Sequence, residues 1–152
     1  MKLLNQTGDR WEYELQQKEA EVLKALLTNF PFTKLLPARM SKGNHDAESF
    51  DRENLLNISL TQHRGELKKS AEKLAKECLS EKAGIWALKL KPEYKEILLQ
   101  ILNDTRTGAW RELGEPEDIH QKPDSPAKLQ LGTIMNLAGY FEEHLVSLGT
   151  KY

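Results

Sequence analysis

The residues best suited to chemistry lie in one stretch, Asn103, Asp104 and Arg106, with Trp110 one helical turn after the arginine. Arginine makes fixed two-pronged contacts with carboxylates and also stacks on aromatic rings. The cluster could therefore recognise a ligand or a partner peptide. The alternative interpretation, and the commoner case, is a buried salt bridge that fixes the register of neighbouring helices.

The four histidines are the other candidate acid–base groups. They lack the i,i+4 spacing that puts two histidine ligands on one helical face, so we predict no metal and no cofactor. His63 falls on an apolar helical stripe, where an imidazole with a shifted pKa could act as a base, although a structural histidine is commoner. His144 follows Tyr140 by one turn and, with Glu142, could line a cleft, although a surface position is commoner.

Signature motifs of the common enzyme classes are missing from the sequence. There is no Gly-rich phosphate-binding loop, no His-Glu-x-x-His, no Gly-x-Ser-x-Gly and no Cys-x-x-Cys. A conventional enzyme is therefore not predicted, and an active site would have to be assembled from distant residues.

The charge balance and the single cysteine limit the classes of function and the cellular compartments that remain. Lys and Arg number 22 against 23 Asp and Glu, a net charge of −1, so nucleic-acid binding is not predicted. Cys78 has no second cysteine with which to form an intramolecular disulfide, so nothing depends on an oxidising compartment. The first residues turn polar after two leucines, unlike a signal peptide or a membrane span. We expect a cytoplasmic protein that does not enter membranes.

Hydrophobic periodicity divides the chain into a short hairpin and four amphipathic helices. Proline and glycine mark most of their ends, for example Pro92 and Ser125-Pro126 at helix starts. The predicted elements are a β-hairpin over 1–15, helix one from Gln16 to Phe30, helix two from about Asp51 to about Lys82, helix three from Pro92 to Leu113, helix four from Pro126 to Leu148, and loops at 31–49 and 115–124.

Three segments resemble a known family: Trp86-Ala-Leu-Lys-Leu-Lys-Pro-Glu93, Leu102-Asn-Asp-Thr-Arg106 with Leu113-Gly114, and Leu137-Ala-Gly-Tyr-Phe-Glu-Glu-His-Leu-Val146. Together they are similar to a bacterial domain-of-unknown-function family, the one numbered two thousand and seventeen, whose members are small helical proteins without an assigned activity. The chain departs from that family at Tyr140, where tryptophan is usual. The resemblance implies a compact fold built around the Asn-Asp-x-Arg helix, and it implies no reaction.

These observations predict a mainly α fold, a four-helix bundle-like single domain over 1–152 with a small N-terminal β-hairpin. A third short strand near Trp86 is left open. The predicted function is a non-catalytic protein-interaction or regulatory module that presents its helical faces or the 31–49 loop to an unknown protein partner. One alternative is a small-molecule-binding protein or cryptic hydrolase with a pocket near His63, Asp104, Arg106 and Glu142. Another is a homodimer that buries apolar surface of helix two or helix four.

Overall fold

The computed structural model describes residues 1–33, 47–117 and 123–147, without the side chains of 47–50 and 147. The predicted loops at 31–49 and 115–124, and the end of predicted helix four, lie partly outside the described residues. The described elements are, in chain order, β1 Lys2–Thr7, β2 Arg10–Leu15, α1 Gln17–Thr28, α2 Ala47–Glu77, β3 Leu79–Lys82, β4 Ile85–Leu90, α3 Pro92–Glu112 and α4 Pro126–Ser147.

The four strands form one antiparallel sheet in the order β1-β2-β4-β3. β2 pairs with β4 so that Tyr13 lies opposite Leu88. Alternate side chains of these two central strands, Tyr13, Leu15, Leu88 and Leu90, are buried. A period of two therefore gives the sheet one apolar face, which packs into the core shared with the helices. The predicted hairpin and the open third strand near Trp86 are both present.

β3 corrects the prediction that helix two continues to about Lys82. The helix ends at Glu77, and the next residues pair with β4 through a hairpin whose turn is Ala83-Gly84. Both turn residues have positive φ, 53° and 80°, the conformation that two-residue hairpins require and that glycine adopts freely. Pairing with β4 therefore outweighs the helix propensity of this polar segment. With four strands, the fold is not a clean four-helix bundle carrying only an N-terminal hairpin.

The starts of α3 and α4 agree with the local signals in the sequence. α3 begins at Pro92, and α4 begins at Pro126, where the Ser125 hydroxyl accepts a hydrogen bond from the Lys128 backbone N–H at 3.2 Å. α3 packs more extensively against α4 than any other two elements do. Within the described ranges, no helix is long and apolar enough to span a membrane.

α2 is buried along only part of its 31 residues. From Arg64 onward its inner stripe is buried, at residues Arg64, Leu67, Ala71 and Leu74, and Cys78 just after the helix is buried as well. Nearer the N-terminus, Leu55 is 67% exposed and Leu56, which lies two turns before Arg64 on the same stripe, is 38% exposed. The core therefore begins about two turns later along this helix than its leucines predict.

Candidate functional site

Two concave sites flank α3. The larger, about 880 Å³, lies between α3 and α4 and is called here the α3–α4 groove. The smaller, about 350 Å³, lies between α2 and α3 and is called the α2–α3 cavity. Because the α3 side chains project to both sides, the residues of the polar cluster predicted from the sequence are divided between the two.

The α3–α4 groove combines apolar walls with three charged side chains. Its apolar surface comes from Trp110 on α3 and from Met135, Tyr140 and Val146 on α4. Its charged residues are one arginine and two glutamates, Arg106, Glu142 and Glu143. This mixture of apolar walls and a few polar groups is typical of binding sites.

Arg106 and Glu142 face each other across the groove without a close contact. Arg106 Nη2 lies 3.5 Å from Glu142 Oε2, and the same nitrogen lies 3.5 Å from Asn103 Oδ1. Both distances are at the outer limit of a hydrogen bond. The Arg106 side chain is 49% exposed, whereas that of Glu142 is 15% exposed. The ion pair of Arg106 with Glu142 is therefore long and half exposed on the arginine side. It lacks the burial that the alternative interpretation, a buried salt bridge that fixes helix register, requires of Arg106.

Glu142 is incompletely paired. Its Oε1 atom is buried, and no donor among the described residues hydrogen-bonds to it. Burial raises the pKa of Glu142, and the opposing influence of the Arg106 charge is smaller. A buried carboxylate without a full set of partners costs folding free energy. We therefore expect the charged form of Glu142 to weaken the fold at neutral pH.

We expect Glu142→Gln to raise Tm at pH 7 by a few degrees. Because the pKa of Glu142 is raised in the folded state, the favourable contribution of the protonated group is complete below the ordinary carboxyl range. It is lost as the pH rises through the raised value. The advantage of glutamine should therefore be present at pH 7 and shrink toward about pH 4. Thermal melts of both proteins across this range measure it.

Glu143→Gln is the matched control for that experiment, because it removes the same charge from the neighbouring, exposed position. Its Tm should follow that of the parent protein at every pH. A lower Tm for Glu142→Gln than for the parent at pH 7 would show that the carboxylate stabilises the fold.

The aromatic walls of the groove are held in place by hydrogen bonds outside it. The Tyr140 hydroxyl donates to Glu19 Oε2 on α1 at 2.5 Å, and this bond raises the pKa of Tyr140 to about 12. Trp110 Nε1 donates to the Pro116 carbonyl at 3.1 Å. His144 packs its ring against Tyr140, with ring centroids 4.2 Å apart. The hydroxyl of Tyr140 and the indole N–H of Trp110 thus form hydrogen bonds outside the groove, and the rings of these two residues present largely apolar surface to it.

The α2–α3 cavity contains a partly buried ion pair between Asp104, a residue of the predicted cluster, and Arg64. Arg64 Nη2 on α2 lies 2.8 Å from Asp104 Oδ1 on α3, and it also donates to the Thr33 hydroxyl at 3.2 Å. The side chains of Arg64 and Asp104 are 10% and 24% exposed. These contacts tie three segments together, so we interpret Asp104 as structural.

The predicted pocket containing His63, Asp104, Arg106 and Glu142 together is wrong. His63 and Asp104 line the α2–α3 cavity, with Asn103, whereas Arg106 and Glu142 line the groove on the other side of α3. His63 is also exposed and not held at the core margin. The four residues cannot act on one substrate from these positions.

Arg64 is the important residue that sequence reasoning missed. It occupies the stripe position between Leu60 and Leu67, at spacings of four and three, so a charged residue interrupts an apolar pattern. His63 precedes it by one residue, about 100° around the helix, and points away from the core. A charged residue within the stripe was the available signal for a buried ion pair.

Neither site has the composition of a metal centre. Across residues 1–33, 47–117 and 123–147, no group of three or more His, Cys, Asp or Glu side chains is placed to hold a metal ion. The chemistry that the groove supports is recognition, through an unsatisfied carboxylate, a loosely held guanidinium and fixed aromatic rings.

Comparison with known proteins returns no relative. No family model matches the chain, and no curated protein and no solved structure matches it significantly. The resemblance to the bacterial helical family therefore stays a prediction.

Proposed function

We propose that this protein is a non-catalytic interaction module whose α3–α4 groove binds a segment of a partner protein. The observation that carries the proposal is the Glu142 carboxylate, which is mostly buried at the groove and has an oxygen without a hydrogen-bond partner among the described residues. A hydrogen-bond donor supplied by a partner would satisfy this oxygen.

The dimensions and walls of the groove support a polypeptide segment as the occupant. The volume of about 880 Å³ is at the upper end of small-molecule pockets, and the site is an open depression along two helices. Trp110, Met135 and Val146 offer apolar contacts of the kind found at the centre of protein interfaces.

The stability cost expected of Glu142 supports the same conclusion. Residues that weaken a fold are retained when binding or catalysis requires them. We expect an uncharged residue at position 142 to give a more stable fold, since burial raises the pKa of the carboxyl group. Retention of glutamate there is expected if the partner supplies the missing donor.

Site-specific photo-crosslinking tests the proposal. A photoreactive amino acid at Val146, which lines the groove, is compared with the same amino acid at Leu129, on the same helix outside the groove. The two residues are 56% and 57% exposed, so a crosslinker at either position is similarly accessible to solvent. We expect one defined protein to crosslink at Val146 and not at Leu129 in lysate of the source organism, and mass spectrometry identifies it.

The Trp110→Ala variant extends this test, because removing an aromatic wall should lower the yield of the Val146 crosslink by at least about tenfold. Equal crosslinking at Val146 and Leu129 would contradict a groove-specific partner. A crosslinked dimer of the chain itself would contradict a separate partner and support the homodimer.

A further inference from the structure

We infer that the group that hydrogen-bonds to Glu142 is the ammonium of a lysine side chain on the partner segment. When the groove is empty, the Arg106 guanidinium lies beside the carboxylate instead. The inference rests on the proposed function and names the chemistry of the same site. It follows from the charge of the groove, the geometry of the two residues and the nature of the apolar walls.

The charges of the groove favour a cation. Its lining has one positive side chain, Arg106, and two negative ones, Glu142 and Glu143, a net charge of −1. A neutral donor could satisfy Glu142 Oε1 but would leave this imbalance, whereas a cation removes it. An anionic group would increase the imbalance and would meet a buried carboxylate.

The Arg106 side chain can be displaced from Glu142 at little cost. It lies 3.5 Å from both of its partners, Glu142 and Asn103, and about half of its side chain is in water. Long basic side chains move their charged ends into solvent at little cost while the stem stays on the protein. Release of Arg106 would open the carboxylate to a second cation, which can approach Oε1 as well as Oε2.

Lysine fits the site better than arginine. An ammonium is a point donor that can serve a single buried oxygen, whereas a guanidinium is a planar fork that matches both carboxylate oxygens at once. The lysine stem is apolar and suits Trp110 and Met135, and an ammonium is attracted to the faces of aromatic rings.

The test compares two small probes that differ only in the ammonium group. Nα-Acetyl-lysine methylamide, whose ε-ammonium is free, and Nα-acetyl-norleucine methylamide are titrated separately into ¹⁵N-labelled protein. The indole N–H signals of the three tryptophans are followed by NMR. Trp110 lines the groove, whereas Trp11 and Trp86 lie on the sheet strands β2 and β4. We expect saturable shifts confined to Trp110 and its surroundings, with the lysine probe binding at least about fivefold more tightly.

Two variants are expected to change the affinity in opposite directions. Glu142→Gln should weaken binding of the lysine probe by at least about tenfold, because a charge-assisted hydrogen bond is lost. Arg106→Gln should strengthen it about threefold, because the competing cation is gone. The control Glu96→Gln removes an exposed carboxylate of α3 that lies outside the groove lining, and it should change the affinity by less than about twofold, since exposed charges are screened.

Equal affinity for the two probes, no saturable shift at Trp110, or unchanged binding to Glu142→Gln would overturn the inference. Weaker binding to Arg106→Gln would overturn the role of Arg106 as the cation that the lysine displaces. If any of these results accompanies a specific crosslink at Val146, the groove binds its partner through other chemistry and the proposed function stands. Failure of the Val146 crosslink would instead count against the proposed function.

Discussion

Gly108→Ala is expected to destabilise the domain by about 2 kcal/mol, a fall in Tm of about 4–8 °C. A Cβ at Gly108 on α3 would lie 2.2 Å from the Thr33 hydroxyl oxygen and 3.4 Å from its Cβ. That separation is far below van der Waals contact. The Thr33 hydroxyl is not free to move away, since it accepts a hydrogen bond from buried Arg64. The loss outweighs the gain of about 1 kcal/mol that alanine normally gives inside a helix.

Gly65→Ala is the matched control. Gly65 lies inside α2, and a Cβ there would meet nothing within 4 Å. This variant should be more stable than the parent by about 0.5–1 kcal/mol. The pair therefore predicts opposite signs for the same substitution in two helices, measured by chemical denaturation.

A double-mutant cycle assigns the effect to the contact. Thr33→Ala removes the hydroxyl, so Gly108→Ala should cost much less in that background than in the parent. If Gly108→Ala stabilises the parent as Gly65→Ala does, Thr33 does not pack on α3 as described.

The second large effect is expected for Asp104→Ala, a loss of about 3 kcal/mol in the free energy of unfolding. The substitution leaves the Arg64 guanidinium, with a side chain only 10% exposed, without its carboxylate at 2.8 Å. An unpaired charge in that position costs several kcal/mol. Urea denaturation at neutral pH measures the change.

Arg106→Ala is the comparison for that variant, because it removes a charge two positions along the same helix. Its side chain is 49% exposed and its ion pair is long, so the loss should be at most about 1 kcal/mol. Arg64→Met combined with Asp104→Ala should recover much of the stability lost by Asp104→Ala alone, because no unpaired charge is left. Equal losses for Asp104→Ala and Arg106→Ala would contradict the distinction between a structural and a recognition residue.

Local signals are sufficient for the starts of α3 and α4 and for the central strands. The start of α2 is Ala47, four residues before the predicted Asp51. Pro92 and Ser125-Pro126 begin α3 and α4 as predicted, and alternation of buried residues around Tyr13 and Leu88 marks β2 and β4. These features depend on residues close together in the chain, and backbone geometry alone imposes them.

Features that depend on distant pairing were not predictable in the same way. Residues 79–82 extend the charged pattern of α2, and only their pairing with β4 makes them a strand. The burial of Arg64 depends on Asp104, 40 residues away, and on Thr33. A single helical stripe identifies a position as inward-facing, but it does not identify the side chain that will meet it there.

The candidate site was predictable in its residues and not in their arrangement. Arg106, Trp110, Tyr140 and Glu142 were all named from the sequence, and the structure places them in one groove. Their separation from His63 and Asp104 follows from the two faces of α3. The unpaired oxygen of Glu142 is a product of helix packing and has no signature in the sequence.

The most direct test of the central claim measures stability and partner binding on one protein, the Glu142→Gln variant with the photoreactive amino acid at Val146. The claim is that Glu142 weakens the fold because it serves the partner, so the variant should have a higher Tm at pH 7 and a crosslink yield lower by about tenfold. A higher Tm with an unchanged yield would show that the carboxylate does not contact the partner, and it would contradict the claim.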